Sequence, residues 1–335
     1  MRIRASAIAL CTLLLAACSI MPRESEGVAE TPPASGAAGS EVPTMSAAAL
    51  DPEESVRAEL DGATLYDISY ASSGGGRVSG WMVVPASEGP HAGIVYVHGS
   101  ETDRDDFLDE ATALATGGAV TLTLNAPFAR TGDDRTGTLG NYFTPGAEAD
   151  LNQQMLDDVS GAFDLLAARD DVDPARLGFV GHSWGASLGA VLASRDPRSI
   201  ANVLITPRPS WTGFLRRSED DFAGVISTVG EDGWEAYLAS MEPYDAVPGV
   251  SNADGATIYL QLGTQDDVVI ASDVDEWVAA APPGTRIDRY PAGHALDASA
   301  VADRAAWLVD RLGLEPIPQE ALAAVGLPDE ASTVP

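Results

Sequence analysis

Lysine is absent from the 335 residues: all 19 basic residues are arginine, 50 residues are acidic, and the net charge is −31. Without an ammonium side chain the chain cannot carry a Walker lysine, a kinase strand lysine, a Schiff-base lysine or a Ser-Lys dyad. The charge also argues against nucleic acid or an anionic membrane as a partner of the folded surface, because that surface would repel phosphates.

Cysteine is scarce, since Cys11 and Cys18 are the only two and both lie among the first twenty residues. The folded body therefore holds neither a disulfide nor a cysteine-ligated metal. Histidine and aspartate do not cluster as metal ligands, and no EF-hand spacing occurs. We predict no metal and no cofactor. Apolar residues make up 45% and charged residues 21%, which is typical of a globular domain.

The N-terminus has the pattern of a signal peptide over residues 1–17. Arg2 and Arg4 precede the apolar stretch Ala5–Ala17, which is too short to span a bilayer as a mature helix. The stretch ends in Leu15-Ala16-Ala17-Cys18, which resembles the lipobox of bacterial lipoproteins. That resemblance implies cleavage before Cys18, a lipid on its sulfur, and anchoring in the cell envelope at the outer membrane or cell surface. A plain secretory signal is the alternative.

The rest of the chain divides by composition. Residues 18–49 are rich in Pro, Ala, Ser, Gly and Glu without an apolar period, which is typical of a disordered tether. We predict an α/β domain over 50–315 with a small helical cap insertion at 211–241, followed by a C-terminal tail over 316–335.

Within that domain, strand and helix patterns alternate. A hairpin is predicted first, followed by short apolar runs typical of strands buried on both faces. Helical patterns separate these runs, so the sequence predicts a mostly parallel sheet with helices on both faces. The predicted strands are Thr64–Ser69, Val78–Pro85, Gly93–His98, Val120–Leu124, Leu177–Gly181, Val203–Thr206, Ile258–Gly263 and Arg286–Tyr290.

The most informative motif is Gly181-His182-Ser183-Trp184-Gly185, a G-x-S-x-G. It lies where a buried strand meets a helix rich in small residues. Flanking glycines allow a sharp turn that projects the serine hydroxyl above the sheet, so Ser183 is the predicted nucleophile. An ordinary strand-to-helix turn is the alternative interpretation.

Only four histidines could serve as the base. His182 adjoins the serine, so its side chain should leave the turn in another direction. His91 precedes a strand at the far end of the sheet, and His98 ends that strand. His294 lies in the loop after the last strand, on the same edge of the sheet as Ser183, and is the predicted base.

A carboxylate must hold the imidazole in the correct tautomer. Asp266 and Asp267 both follow the strand Ile258–Gly263, and the residue pattern leaves both open. The oxyanion formed on attack needs backbone donors. We predict the N–H of Trp184 as one donor and that of Ser100 as the other, with Glu101 as the alternative.

Together these residues resemble the α/β-hydrolases, and within them the dienelactone hydrolase-like branch. The resemblance covers about 64–312 and implies an eight-stranded, mostly parallel sheet and a serine hydrolase acting on an acyl bond. The family's acid stands three residues after the strand-ending glycine, which implies Asp266. Dienelactone hydrolases proper use cysteine where this chain has Ser183, so their substrate is not carried over. The stretches that match are Tyr96–Ser100, Val172–Ser183, Gly263–Asp266 and Gly293–His294.

Four aromatic residues and one arginine are candidate substrate contacts. Trp211 and Trp234, with Trp184 and Tyr237, could line an apolar acyl pocket or simply form core. Arg130 follows the strand Val120–Leu124 and could hold a substrate carboxylate, although pairing with one of the many acids is the alternative.

The sequence therefore predicts a lipid-anchored serine hydrolase that cleaves a small-molecule carboxylic ester through Ser183, His294 and Asp266. Its expected partners are the ester substrate and, through the lipid on Cys18, the membrane, with no nucleic acid. The alternatives are an acyltransferase or perhydrolase on the same triad, and a non-catalytic envelope binding protein that keeps the fold.

Overall fold

The structure, a computed structural model, describes residues 45–326. The predicted signal peptide, Cys18 and most of the predicted tether lie outside the described residues. The described chain begins within the predicted tether, where a short helix covers Ala47–Leu50 and the N–H of Met45 donates to Asp164 at 2.5 Å. Among residues 45–326, no helix is both long and apolar enough to cross a membrane.

One nine-stranded sheet forms the centre of the domain, in the order β1-β2-β3-β5-β4-β6-β7-β8-β9. The first three strands and β5 pair antiparallel, and all other pairs are parallel. The strands are β1 Glu53–Leu60, β2 Ala63–Ala71, β3 Arg77–Pro85, β4 His91–Val97, β5 Ala119–Leu124, β6 Val172–His182, β7 Ser199–Ile205, β8 Ile258–Gly263 and β9 Arg286–Tyr290.

The predicted number of eight strands is wrong by one, because β1 was missed. Glu53, Glu54, Arg57 and Glu59 occupy much of this strand, and its burial pattern is almost entirely exposed. Such a strand has no apolar run to mark it. It forms because its backbone pairs with β2, and its charges keep the sheet edge from pairing further.

Helices cover both faces of the sheet, as predicted. In β4, Val95 and Val97 face the core under α3 and α4, whereas Ile94 and Tyr96 face the core under α2 and α10. The helices are α1 Ala47–Leu50, α2 Leu108–Thr116, α3 Ala147–Ala167, α4 Trp184–Arg195, α5 Trp211–Arg217, α6 Ala223–Val229, α7 Glu231–Met241, α8 Ala246–Val250, α9 Ala271–Ala280, α10 Ala298–Leu312 and α11 Gln319–Ala323.

The insertion predicted at 211–241 consists of α5, α6 and α7, and α8 follows before β8 begins. α11 lies in the segment predicted as the C-terminal tail. The parallel strands β4 to β9 place their carboxyl ends on one edge, where residues following β4, β6, β8 and β9 come together.

Candidate active site

Ser183 lies in a strained turn between β6 and α4, with φ +53° and ψ −114°. A non-glycine residue in this region is uncommon and costs conformational energy. The flanking glycines are needed for space. A Cβ on Gly181 would lie 2.7 Å from the backbone of Gly185, and a Cβ on Gly185 would lie 2.5 Å from the carbonyl oxygen of Val97. The motif therefore encodes a turn that only glycine neighbours permit.

The three side chains predicted as a triad form one hydrogen-bonded chain. His294 Nε2 lies 2.8 Å from Ser183 Oγ, and His294 Nδ1 lies 2.8 Å from Asp266 Oδ2. All three lie at the carboxyl edge of the sheet: Ser183 follows β6, His294 follows β9, and Asp266 follows β8. This arrangement can move the serine proton to an imidazole whose other nitrogen is held by a carboxylate.

The structure distinguishes the two adjacent acids. The Asp266 side chain is fully buried, and its Oδ1 accepts the N–H groups of Val268 at 2.8 Å and Val269 at 2.9 Å. Asp267 is exposed. Burial by itself would raise the pKa of Asp266, but the hydrogen bonds and charge of His294, together with the two N–H groups, hold that pKa below its ordinary value. Asp266 is therefore a carboxylate at neutral pH.

His98 orients the turn that precedes Ser100. Its Nε2 accepts the N–H of Ala126 at 3.0 Å, so the ring proton is on Nδ1, which donates to the Gly99 carbonyl oxygen at 2.6 Å. In a trans peptide the C=O and N–H point in opposite directions. Because the Gly99 carbonyl faces His98, the Ser100 N–H points away from that ring. The bond from His98 therefore fixes the N–H of Ser100 and not that of Glu101, the alternative donor.

The turn lies against the predicted nucleophile, since a Cβ on Gly99 would be 3.4 Å from Ser183 Cβ. The other predicted donor, the N–H of Trp184, belongs to the first turn of α4 and has no acceptor within its helix. Among residues 45–326, no hydrogen bond uses the N–H of Ser100 or of Trp184. Both donors are thus available to a ligand.

Burial lowers the pKa of His98 to about 4, with the Gly99 carbonyl opposing part of that shift. Below pH 6.5 the unfolded histidine binds a proton that the folded one refuses until about pH 4. As the pH is lowered from 6.5 to about 4, the free energy of unfolding should therefore fall by about 1.4 kcal/mol per pH unit. Urea unfolding of the wild type and of His98→Gln between pH 7 and 4 tests this. The two proteins have the same carboxylates, so the difference between their free energies of unfolding reports the histidine alone. Parallel curves would contradict the assignment.

Arg130 is paired with an acid inside the domain, which is the alternative to the predicted contact with a substrate carboxylate. Its side chain is fully buried, and its Nη2 donates to the equally buried carboxylate of Asp158. Ser72 Oγ bonds the other oxygen of that carboxylate at 2.6 Å. The arginine is therefore neutralised inside the domain, where a substrate carboxylate does not reach it.

Trp234 is core rather than a pocket wall. It is 2% exposed, and its ring stacks between Phe222 at 5.6 Å and Tyr237 at 5.8 Å. The Trp184 side chain is also buried and donates from Nε1 to Asn152. Trp184, Trp234 and Tyr237 therefore belong to the hydrophobic core, which is the alternative to the predicted acyl pocket.

Trp211 remains near the site. It is half-buried at the start of α5, with the Arg208 guanidinium carbon 5.1 Å from its ring centre. Arg208 in turn donates from Nη2 to the Val268 carbonyl at 2.9 Å, on the loop that carries Asp266. Trp211 is therefore connected to the acid loop through one side chain.

Phe128 follows β5 at the same edge and is not among the site residues that the sequence predicts. Its ring centre lies 5.0 Å from that of Trp184 and 5.8 Å from that of His98, both edge to face. It is 9% exposed. An aromatic residue just after a buried strand at the catalytic edge was the available signal.

Comparison with known proteins identifies the family of the chain. The model of the acetyl xylan esterase (AXE1) family matches residues 40–216, more than half of the chain. The chain belongs to this family. It is a carboxylic ester hydrolase with an α/β-hydrolase, dienelactone hydrolase-like fold.

Individual relatives are distant. An uncharacterized protein of Mycobacterium tuberculosis is 26% identical over 229 residues, which are 68% of this chain and 72% of that one. The solved acetyl xylan esterase from Paenibacillus sp. R4 has a TM-score of 0.66 at 18% identity, over 78% of this chain and 89% of that one. A putative dienelactone hydrolase from Klebsiella pneumoniae has a TM-score of 0.51 at 19% identity, over 72% and 96%. At these identities the solved structures support the fold alone.

Proposed function

We propose that the protein hydrolyses short-chain acyl esters, acetyl esters of carbohydrate hydroxyl groups first among them, through a covalent acyl-serine. The observation that carries the proposal is the continuous chain from Asp266 through His294 to Ser183, with 2.8 Å between partners at each step. Membership of the acetyl xylan esterase family supports an acetyl ester as substrate.

In the first half-reaction Ser183 Oγ attacks the acyl carbon while His294 Nε2 accepts the hydroxyl proton. The carbonyl oxygen becomes an oxyanion and receives hydrogen bonds from the N–H groups of Ser100 and Trp184. Asp266 stabilises the imidazolium. When the carbon–oxygen bond of the ester breaks, His294 gives the proton to the departing alcohol, which leaves an acyl group on Ser183.

In the second half-reaction a water takes the place of the alcohol. His294 accepts one of its protons as the oxygen attacks the acyl carbon, and the same donors bind the second oxyanion. Collapse of this intermediate returns the proton to Ser183 Oγ and releases the acid. An added alcohol or hydrogen peroxide in place of water would give acyl transfer or perhydrolysis.

A panel of p-nitrophenyl esters from acetate to octanoate tests the acyl part of the proposal. We expect kcat/KM to be highest for acetate and to fall as the acyl chain lengthens. The reason is that the rings of Phe128, His98 and Trp184 pack against one another beside the predicted oxyanion donors, which favours a short acyl group there. Acetylated xylo-oligosaccharides, with released acetate as the readout, test the alcohol part. A maximum of kcat/KM at octanoate would contradict the acyl part of the proposal. Failure to release acetate from the oligosaccharides would contradict the alcohol part.

We also propose that the enzyme is anchored in the cell envelope by lipid on Cys18, which stands in Leu15-Ala16-Ala17-Cys18. Two or three acyl chains hold a protein stably on a membrane where one does not. Expressed in a bacterial host, the wild type should partition with membranes, and Cys18→Ser should be released or left uncleaved. Cys11→Ser is the matched control and should behave as the wild type. A mature N-terminal cysteine that mass spectrometry finds unmodified would refute the anchor.

A further inference from the structure

The main-chain carbonyl of His294 accepts two side-chain hydrogen bonds. His182 Nε2 donates to this oxygen at 3.2 Å, and Thr206 Oγ1 donates to it at 2.9 Å. Neither bond belongs to a helix or to the sheet. Both act on the backbone of the residue whose ring contacts Ser183 and Asp266.

The two donors stand at the ends of neighbouring strands. His182 is the last residue of β6 and precedes Ser183 directly, and Thr206 follows β7. Thr206 is buried with φ +45°, an uncommon conformation for a β-branched residue. Its N–H donates to Gln261 in β8 at 2.9 Å. The bonds therefore tie the loop of the base to the strands that carry the nucleophile and its neighbours.

His182 is neutral and acts as a donor. Burial, and then the charge of His294, lower the pKa of His182 to about 3. Its Nε2 faces a carbonyl oxygen, so the proton is on that nitrogen, and Nδ1 is buried with no partner among the described residues. A buried unpaired nitrogen costs free energy, and so does the left-handed backbone conformation of Thr206.

We propose that His182 and Thr206 are positioning residues that hold His294 within hydrogen-bond distance of Ser183, and so set kcat rather than substrate affinity. The inference rests on the proposed function, because it takes His294 as the base. Proton transfer depends steeply on placement, and a displacement of about 1 Å can cost roughly 10²-fold in rate.

Thr206 offers the cleaner test. Thr206→Val keeps the shape and β-branching but removes the hydroxyl, whereas Thr206→Ser keeps the hydroxyl. We expect Thr206→Val to lower kcat for p-nitrophenyl acetate by roughly 10-fold to 10²-fold with KM within about threefold of the wild type. Thr206→Ser should restore most of the rate. The rate of fluorophosphonate labelling should change in parallel, because it depends on the same serine activation.

His182 provides the second pair. His182→Leu removes the donor, and His182→Gln places an amide N–H near the position of Nε2. The first should lose kcat as Thr206→Val does, and the second should recover part of it. Since both donors act on one oxygen, the fold-loss in kcat of the double variant Thr206→Val with His182→Leu should differ from the product of the two single losses. His91→Leu is the matched control: His91 is also buried and contacts the Ser87 carbonyl at 3.1 Å, at the opposite end of the sheet.

Two results would overturn the inference. One is a kcat for Thr206→Val and His182→Leu equal to that of His91→Leu. The other is equal impairment of Thr206→Ser and Thr206→Val, which would assign the position to packing alone. His294→Ala separates this from the proposed function. If that variant stays active, the proposed function fails, whereas if it is inactive and Thr206→Val and His182→Leu keep the kcat of His91→Leu, only the positioning role fails.

Discussion

Ser183→Ala should remove nearly all ester hydrolysis, by roughly 10⁴-fold or more in kcat. The change deletes the only atom that attacks the acyl carbon, while the strained turn and its glycine neighbours remain. The free energy of unfolding should change little, because alanine keeps the Cβ and the strained backbone and loses only the hydroxyl with its hydrogen bond to His294. Initial rates on p-nitrophenyl acetate and labelling by a fluorophosphonate probe measure the loss.

Ser194→Ala is the matched control, since Ser194 lies on the same helix, α4, and bonds only the Val191 carbonyl. It should be labelled and active like the wild type. Undiminished labelling of Ser183→Ala would place the nucleophile elsewhere.

Asp266→Asn should lower kcat by up to roughly 10⁴-fold, by analogy with the same change in serine proteases. An amide NH₂ in place of Oδ2 cannot accept the His294 Nδ1 proton, so the ring takes the tautomer that cannot accept the serine proton. The bonds from Val268 and Val269 to Oδ1 survive the change. The loop should therefore keep its conformation, and KM should change little.

Asp267→Asn is the comparison that makes this result specific. Asp267 is the next residue and is exposed, so its charge should matter by only a few tenths of a kcal/mol. Circular dichroism and the denaturant midpoint of both variants establish that they are folded. Inactivation of Asp267→Asn with an active Asp266→Asn would mean that the acid loop is one residue out of register.

The fold was predictable because its signals are local. Buried strands such as Val120–Leu124 are apolar without alternation, and amphipathic helices such as Ala147–Ala167 separate them, so the sequence alone indicates a parallel sheet with helices on both faces. β1 was missed because its residues are polar and its backbone partner alone makes it a strand. Elimination among four histidines identified His294, since position along the strand order already places its loop at the edge of Ser183.

The sequence alone determined the α/β architecture, the serine turn and the loops from which its partners come. Tertiary structure decided which of two adjacent carboxylates faces the imidazole, because the turn geometry and the two N–H groups that bind Asp266 depend on a folded loop. It also decided that Arg130 is neutralised by Asp158, 28 residues along the chain, and that Trp234 is enclosed by other rings. The bonds from His182 and Thr206 to one carbonyl oxygen join three strand ends, and such a convergence has no period or motif in the sequence.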